Sequence, residues 1–537
     1  MTRVAAAQLA AGTDVAVNLD ACLRVIDEAA AAAAELVVLP EFCNHLSWYA
    51  DRAHAHRMAC TGGDPFLTAI ARRARRHRLY VKIGVTLARA GGRTTGTGLL
   101  FGPDGELLGE SDKQILMGAE NDYLDAGRGE SPVIATPLGR IGMYACMEGV
   151  INEVTRSLAL RGAQLLLNSL NSFAIDEASL HIPVRAAENR VWVVAANKVG
   201  PLLPAGQLPA IAARLGVPPD RLHGAGESQI VGPDGIPVAM APVTDEAIVV
   251  ADIDIGLADN KVRGDGTDIL AARRPELYVP LSGVTPKRRA PAGAPTLSAA
   301  VSIADTTVLA GLAADGADLI VLPELATLPI PEAVRALHDT TAHAVLSVRD
   351  AETHRGVLIN ADGVVGYQSQ LHPTERHPWF TDPGDGLTVF ELPWGRMAIV
   401  VGDDALFPET FRLAAIQDAD VVAVPCSPTE SWELRLGLAE RAAENRLNVV
   451  AAGTAESVGL VGAIYALSPD FTLWTEWSGP FTGVISHPIV TGVPTGSTSA
   501  RAIVRPAEAV RRSVSRGTDL VADRPPWPLD AMTKEAQ

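Results

Sequence analysis

Four residues in the first third of the chain have side chains suited to covalent chemistry at a carbonyl. Cys146 follows the apolar stretch Ile141-Gly-Met-Tyr-Ala and precedes a predicted helix start near Asn152. A sulfur at a strand end close to a helix start faces a cleft. The backbone N–H groups after it, beginning with that of Met147, can meet a developing oxyanion. Lys113 stands just after a predicted hairpin, and an ammonium near a thiol favours the thiolate. Glu41 directly follows an apolar strand and Pro40, where partial burial would raise its pKa and make it a usable base. Glu120, seven residues beyond Lys113, can hold either the lysine or a substrate amide. Taken singly, each has an ordinary explanation: a small buried thiol, a solvated lysine, two loop acids.

The elements that must position these residues are written twice. AELVVLPEF (residues 34–42) returns as ADLIVLPEL (residues 317–325), and RAAENRVWVVAAN (residues 185–197) as RAAENRLNVVAAG (residues 441–453). Between them, GRIGMYACMEGVINEVTR (residues 139–156) matches GRMAIVVGDDALFPETFR (residues 395–412), and GTDILAARRP (residues 266–275) matches GTDLVADRPP (residues 517–526). Four matches in one order indicate a tandem duplication. The predicted domains are 1–285 and 297–537, joined by a Pro-, Ala- and Gly-rich linker over 286–296 that carries Lys287, Arg288 and Arg289. A chain of 537 residues suits two units of about 250 each.

Within each half, short apolar runs (Val37–Leu39, Ile320–Leu322) stop at a proline, as buried strands do. Pro183–Arg190 and Leu438–Arg446 have helical composition and lead into valine-rich strands. Residues 98–110 read as a hairpin turning at Pro103-Asp104-Gly105. Helices alternating with strands and hairpins imply an α+β or α/β class, with helix layers packed on sheets.

In this order and spacing the motifs resemble the nitrilase, or carbon–nitrogen hydrolase, superfamily over nearly the whole chain. Leu39-Pro40-Glu41 matches the family's LPE glutamate, Lys113 its post-hairpin lysine, and Cys146 its nucleophile. Glu148, Glu153, Arg185–Asn189 and Arg273–Tyr278 match further family positions. The resemblance implies an αββα sandwich in each half, with the halves packed as an intramolecular pseudo-dimer and further homo-oligomerisation open. It implies a catalytic Glu41–Lys113–Cys146 triad assisted by Glu120 and by the Met147 N–H. The expected activity is hydrolysis of a non-peptide C–N bond in a small linear amide or N-carbamoyl compound, through a cysteine thioester, with no metal or organic cofactor. The sequence departs from amidase-like members at Ile115, where many carry His, and at Met147, where many carry an aromatic residue. Cys146-Met-Glu148 also leaves nitrile hydrolysis open. A glutamine-fed ammonia donor would need a synthetase domain with a nucleotide-binding glycine loop, which the sequence does not show. A non-catalytic binding protein is the remaining rival.

The second repeat keeps Glu324 but carries Gln370 where the lysine belongs and Gly402 where the cysteine belongs. Glycine offers no nucleophile. Cys426, one strand further on, is a poor substitute. This half is also shorter: Glu41 and Lys113 are 72 positions apart, Glu324 and Gln370 only 46. A degenerate pseudoenzyme domain is expected, shaping the first pocket or carrying a separate ligand site. The segment 201–225 is expected to be either a lid or an interdomain packing segment.

Bulk composition narrows partners. A formal net charge of −17 opposes a phosphate backbone, so no nucleic acid is expected. Five cysteines without metal-ligand spacing fit a reducing compartment. With no signal-like start and no long apolar run, a cytoplasmic protein without membrane contact is expected, acting on a small amide-type molecule.

Overall fold

The structure is a computed structural model describing residues 1–284, 292–303, 305–453, 459–473 and 475–535. The expected linker at 286–296, with Lys287, Arg288 and Arg289, falls largely outside the described residues.

The first half builds two six-stranded sheets. Its strands are β1 (Thr2–Gln8), β2 (Leu36–Val38), β3 (Tyr80–Ala88), β4 (Thr94–Phe101), β5 (Leu107–Asp112), β6 (Val133–Thr136), β7 (Gly139–Ala145), β8 (Leu165–Ser169), β9 (Trp192–Ala196), β10 (Gln229–Val231), β11 (Pro237–Met240) and β12 (Ala247–Ile253). One sheet runs β12-β1-β2-β3-β4-β5, the other β11-β10-β9-β8-β7-β6. The second half has β13 (Leu297–Ser302), β14 (Leu319–Val321), β15 (His343–Asp350), β16 (Thr353–Asn360), β17 (Gly363–Ser369), β18 (Val389–Leu392), β19 (Gly395–Ile399), β20 (Val421–Pro425), β21 (Asn448–Ala452), β22 (Leu460–Ala466), β23 (Ile489–Pro494) and β24 (Ser499–Val504). Its sheets, β24-β13-β14-β15-β16-β17 and β23-β22-β21-β20-β19-β18, repeat the first pair strand for strand.

Strand alternation explains the layering. On β1, Val4 and Ala6 face the opposing sheet together with Leu36, Val38, Ile141, Met143, Leu165 and Leu167. Ala5 and Ala7 face the other way, into the helices with Val37 and Leu39. The helix Val15–Ala31 meets them with Cys22, Val25, Ile26 and Ala29, one stripe at helical spacing. Asp14 caps that helix by accepting the N–H groups of Ala16 and Val17, a contact worth about 1 kcal/mol. The result is an αββα sandwich in each half, two in tandem. The shorter stretch between Glu324 and Gln370 has a simple cause. Helices Arg52–Met58 and Pro65–His77 separate β2 from β3, whereas only Ile330–Ala336 separates β14 from β15.

The helices between the halves are buried along their whole length: Glu153–Leu160 and Ile182–Asn189 from one, Pro408–Ile416 and Leu438–Asn445 from the other. Their charges pair reciprocally. Arg156 meets Glu409 at 2.9 Å, and the equivalent Arg412 meets Glu153 at 2.9 Å. Arg185 meets Glu444 at 2.7 Å, and Arg441 meets Glu188. The tail of each half also crosses to the other: Arg263 pairs with Asp403 at 2.9 Å, and Gly118 N–H donates to Ser515 Oγ at 3.0 Å. Domain limits drawn from the repeat alone do not anticipate this exchange, because it depends on contacts far apart in sequence. Among the described residues, no helix is long and apolar enough to cross a membrane.

Candidate active site

Strand ends bring Glu41, Lys113 and Glu120 into contact, with Cys146 within their electrostatic reach. After β2 the chain continues through Leu39 and Pro40 to Glu41, whose N–H donates to the Leu170 carbonyl at 3.2 Å, beyond β8 of the facing sheet. Gly84 on β3 permits this path, since a Cβ there would lie 2.7 Å from Glu41 Cα. Lys113 follows β5, its N–H bonded to the Gly96 carbonyl at 2.8 Å. Its Nζ lies 3.1 Å from Glu41 and 2.9 Å from Glu120. Glu120 also accepts the Met117 N–H at 3.0 Å, so it holds the lysine from the side opposite Glu41.

Cys146 ends β7 with φ +48°, the left-handed bend that turns the strand into the 3-10 segment Cys146–Gly149. Such a conformation is uncommon outside glycine and must be held by its surroundings. Asn168 of β8 accepts the Cys146 N–H at 3.1 Å. Glu148 accepts the N–H of Ala145 at 2.8 Å and of Gln114 at 2.6 Å. Its carboxylate therefore clamps the cysteine turn to the residue after Lys113 and is turned away from the cleft. Met147 lies in the first turn of that segment, where amide N–H groups have no partner within their own helix.

Burial dominates the electrostatics. It raises Glu41 to about 7 even though Lys113 pulls it down. Burial would lower the Lys113 ammonium, but Glu120 and Glu41 outweigh it and hold it well above its ordinary value. Burial pushes the Cys146 thiol well up, with Lys113 opposing and Glu177 and Glu41 adding to the rise. The resting sulfur is thus a thiol, within the electrostatic reach of a carboxyl group poised near neutrality.

Cys146 and Glu120 border a cavity of about 350 Å³. Leu202, Ile211 and Leu215 bring the 201–225 segment onto its wall, and Leu473, Ile485 and Arg516 bring in the second half. The segment therefore covers the cavity, and the second half completes it. Sequence reasoning did not find Glu177, which lines the same cavity with Oε1 3.9 Å from Cys146 Sγ. A signal existed, because both repeats carry a glutamate eight residues before the RAAEN arginine, Glu177 and Glu433. Lys82 and Lys198, buried behind Glu41, were also unforeseen; burial lowers them to about 7 and about 8.

The second half keeps the backbone of this site without its chemistry. Gly402 has φ +54°, close to that of Cys146. The space for a side chain there is filled: a Cβ would meet Glu324 Oε1 at 2.6 Å and Gln370 Oε1 at 3.0 Å. Asp404 performs the clamp of Glu148, accepting the Leu371 and His372 N–H groups at 2.8 Å each. Glu324, His354 and His377 cluster with ligand-type atoms within 4.8 Å. Protein groups already engage them: His354 meets Gln370 at 2.6 Å and Ser347 at 3.1 Å, and His377 meets Glu324 at 3.0 Å. Cys426 borders a space of about 20 Å³ beside Gly402, room for roughly one water.

The carbon–nitrogen hydrolase family model matches residues 3–260. A nitrilase of Pyrococcus abyssi is 29% identical over 266 residues, 49% of this chain and 92% of that protein. A chloroplastic omega-amidase of Arabidopsis thaliana is 28% identical over 298 residues, 50% of this chain and 72% of that protein. Among solved structures, an amidase from Nesterenkonia sp. AN1, with the acetamide moiety of fluoroacetamide added at its active-site cysteine, gives a TM-score of 0.42 at 22% identity. That match covers 52% of this chain and 95% of the amidase. Just under half of the chain, residues 3–260, therefore carries the signature of the carbon–nitrogen hydrolase family.

Proposed function

We propose that the protein hydrolyses a non-peptide C–N bond of a small linear amide or N-carbamoyl compound through a thioester on Cys146. The observation that carries this reading is the buried Glu41–Lys113–Glu120 cluster, at 3.1 and 2.9 Å, within electrostatic reach of a cysteine at the edge of a cavity of about 350 Å³.

Glu41 takes the proton from Cys146 Sγ as the sulfur attacks the carbonyl carbon. Because burial keeps the thiol protonated, removal of the proton accompanies attack rather than preceding it. Lys113 Nζ and the Met147 N–H receive the oxyanion. Glu41 then gives its proton to the leaving nitrogen, the C–N bond breaks, and the thioester remains. Water enters and yields its proton to Glu41 as its oxygen attacks the thioester. The C–S bond breaks, the acid leaves, and the sulfur regains the proton. Glu120 keeps Lys113 in place. The sequence uses no cofactor.

Residues 1–285 are read as the catalytic domain and 297–537 as a pseudoenzyme domain, the two packed as an intramolecular pseudo-dimer. The reciprocal Arg156–Glu409 and Arg412–Glu153 pairs support that reading, since a two-fold relation exchanges equivalent contacts. Glu148 is spent on two backbone N–H groups, so its presence after Cys146 gives no reason to favour nitriles over amides.

The test is mass spectrometry of acyl-enzyme formed from a panel of amides, N-carbamoyl compounds and nitriles, with ammonia release measured in parallel. An acyl mass on the Cys146 peptide, missing in Cys146→Ala, is the expected result. If no panel member acylates the wild-type protein, the hydrolase reading fails.

A further inference from the structure

Glu177 is a buried acid that the mechanism above does not use. Only 3% of its surface is exposed, it lines the cavity, and its Oε1 lies 3.9 Å from the nucleophilic sulfur. Its Oε2 is buried and accepts no hydrogen bond. Of the nearby cations, Lys113 directs two of its three N–H donors to Glu41 and Glu120, and both ring nitrogens of His181 are engaged by Glu440 and Ser486.

The second half provides a control within the same molecule. Glu433 stands at the equivalent position, opening the equivalent π turn. There the carboxylate is fully engaged, accepting the N–H groups of Thr429 at 3.1 Å and Glu430 at 3.0 Å and meeting Arg263 at 3.4 Å. In the half that retains a nucleophile, the same carboxylate is left with an open oxygen. Its neighbours prevent it from swinging to solvent. Asp176 accepts the Ser486 N–H at 2.8 Å and the Ser486 hydroxyl at 2.9 Å, and His181 meets Glu440 at 2.8 Å. A buried acceptor fixed beside a reaction centre and lacking a donor is completed by a donor on the ligand.

The distance limits where that donor sits. The scissile carbon is one bond from Sγ in the thioester, and Oε1 is 3.9 Å from that sulfur with Oε2 on the same carboxyl carbon, so a group reaching Glu177 is carried close to the scissile carbon. Glu41 serves the leaving nitrogen, so the partner of Glu177 is on the other side of the carbonyl. The rest of the wall is mixed, with Leu202, Ile211 and Leu473 beside Asp122, Arg214 and Arg516. We infer that Glu177 selects the substrate by accepting a hydrogen bond from an N–H on the α atom of the scissile carbonyl, so that the site takes N-carbamoyl amines or α-amino amides. This inference rests on the hydrolase reading and assigns that site its substrate class.

The test compares three probes of matched length: hexanamide, N-butylurea, in which N–H replaces the α-methylene, and norleucinamide, which carries an α-ammonium. Ammonia release gives kcat/KM for wild type, Glu177→Gln and Glu177→Met. In wild type, at least one N–H probe should exceed hexanamide. In Glu177→Met the ratio of that probe to hexanamide should fall about 10- to 100-fold, the equivalent of one charge-assisted hydrogen bond. A urea preference assigns the ureido source, and a norleucinamide preference the α-amino source. A wild-type preference for hexanamide, or a ratio unchanged in both variants, overturns the inference while leaving the hydrolase reading intact. If no probe is turned over, the hydrolase reading is what fails, and Glu177 is then judged by alkylation of Cys146. Bromoethylammonium should react faster relative to iodoacetamide in wild type than in Glu177→Met, and an unchanged ratio overturns the role of Glu177.

Discussion

Lys113→Met separates two roles that the lysine holds at once. The side chain keeps its unbranched shape, one atom shorter, and loses its charge between Glu41, 3.1 Å away, and Glu120, 2.9 Å away. Glu41 stands at about 7 with the ammonium present, so near neutral pH about half of it is ionised and able to act as a base. An opposite charge at this range moves a carboxylic acid by about one to three pH units, so its loss raises Glu41 further. A base works only when ionised, so the acid limb of kcat/KM shifts upward, from near 7 to about 8–10. At neutral pH that alone costs about fivefold to several-hundredfold. Loss of an oxyanion donor costs about 100- to 1000-fold more. The combined expectation is a drop of about 500-fold to several-hundred-thousandfold in kcat/KM near neutrality. Alkaline buffer should recover the ionisation part and leave the oxyanion part. Initial rates of ammonia release across neutral and alkaline pH read both, with Cys146→Ala as the baseline. The reasoning is refuted if the acid limb of the variant stays near 7, because Lys113 would then not govern Glu41. Full recovery at alkaline pH would refute the oxyanion role alone.

Two further perturbations address the second half. Gly402→Cys combined with Gln370→Lys should not create a second acylation site, because a Cβ at Gly402 comes within 2.6 Å of Glu324; overpacking of about 1–3 kcal/mol should instead lower the thermal midpoint. An acyl adduct on the new thiol would contradict the description of that site as filled. Arg185→Met should destabilise the protein by about 3–5 kcal/mol in denaturant unfolding, since it takes one buried partner from each of Glu188, Glu440 and Glu444 and leaves three buried carboxylates to His181 and Arg441. It should also reduce acylation, because Arg185 holds the Gly149 carbonyl at 2.7 Å in the cysteine turn; unchanged stability and rate together would remove the proposed link between interface and site.

What could be read from the sequence depended on how local the signal was. Glu41, Lys113 and Cys146 each end a strand, and strand ends leave marks: an apolar run, a proline, a turn. Glu120 was legible as an acid near the lysine, but only the fold shows that it grips Nζ rather than facing the substrate alone. The repeat fixed the architecture, since a strand order that works once works again. The segment 201–225 stayed ambiguous because Ile211 and Leu215, one helical turn apart, would suit a lid or an interface equally well. Glu177 went unremarked because its meaning lies in the absence of donors, which no spacing encodes. The reciprocal arginine–glutamate pairs join residues more than 250 positions apart, and nothing in either segment alone names its mate.

The second half supplies the reason that Glu177 can be left open. An acid without a partner destabilises its surroundings, and the π turn carrying Glu177 would relax if it were free to move. It is fastened instead from the other half, through Asp176 to Ser486 and through His181 to Glu440. The same half places Leu473 and Ile485 on the cavity wall. At the position equivalent to Cys146, the space beside Gly402 is taken by Glu324 and Gln370, and Arg263 from the first half meets Glu433. The half without a cysteine there thus has its equivalent space filled and buttresses the other. A truncated first half would lack the partners of Asp176, His181 and Arg185, so its Glu177 would no longer be fixed beside Cys146.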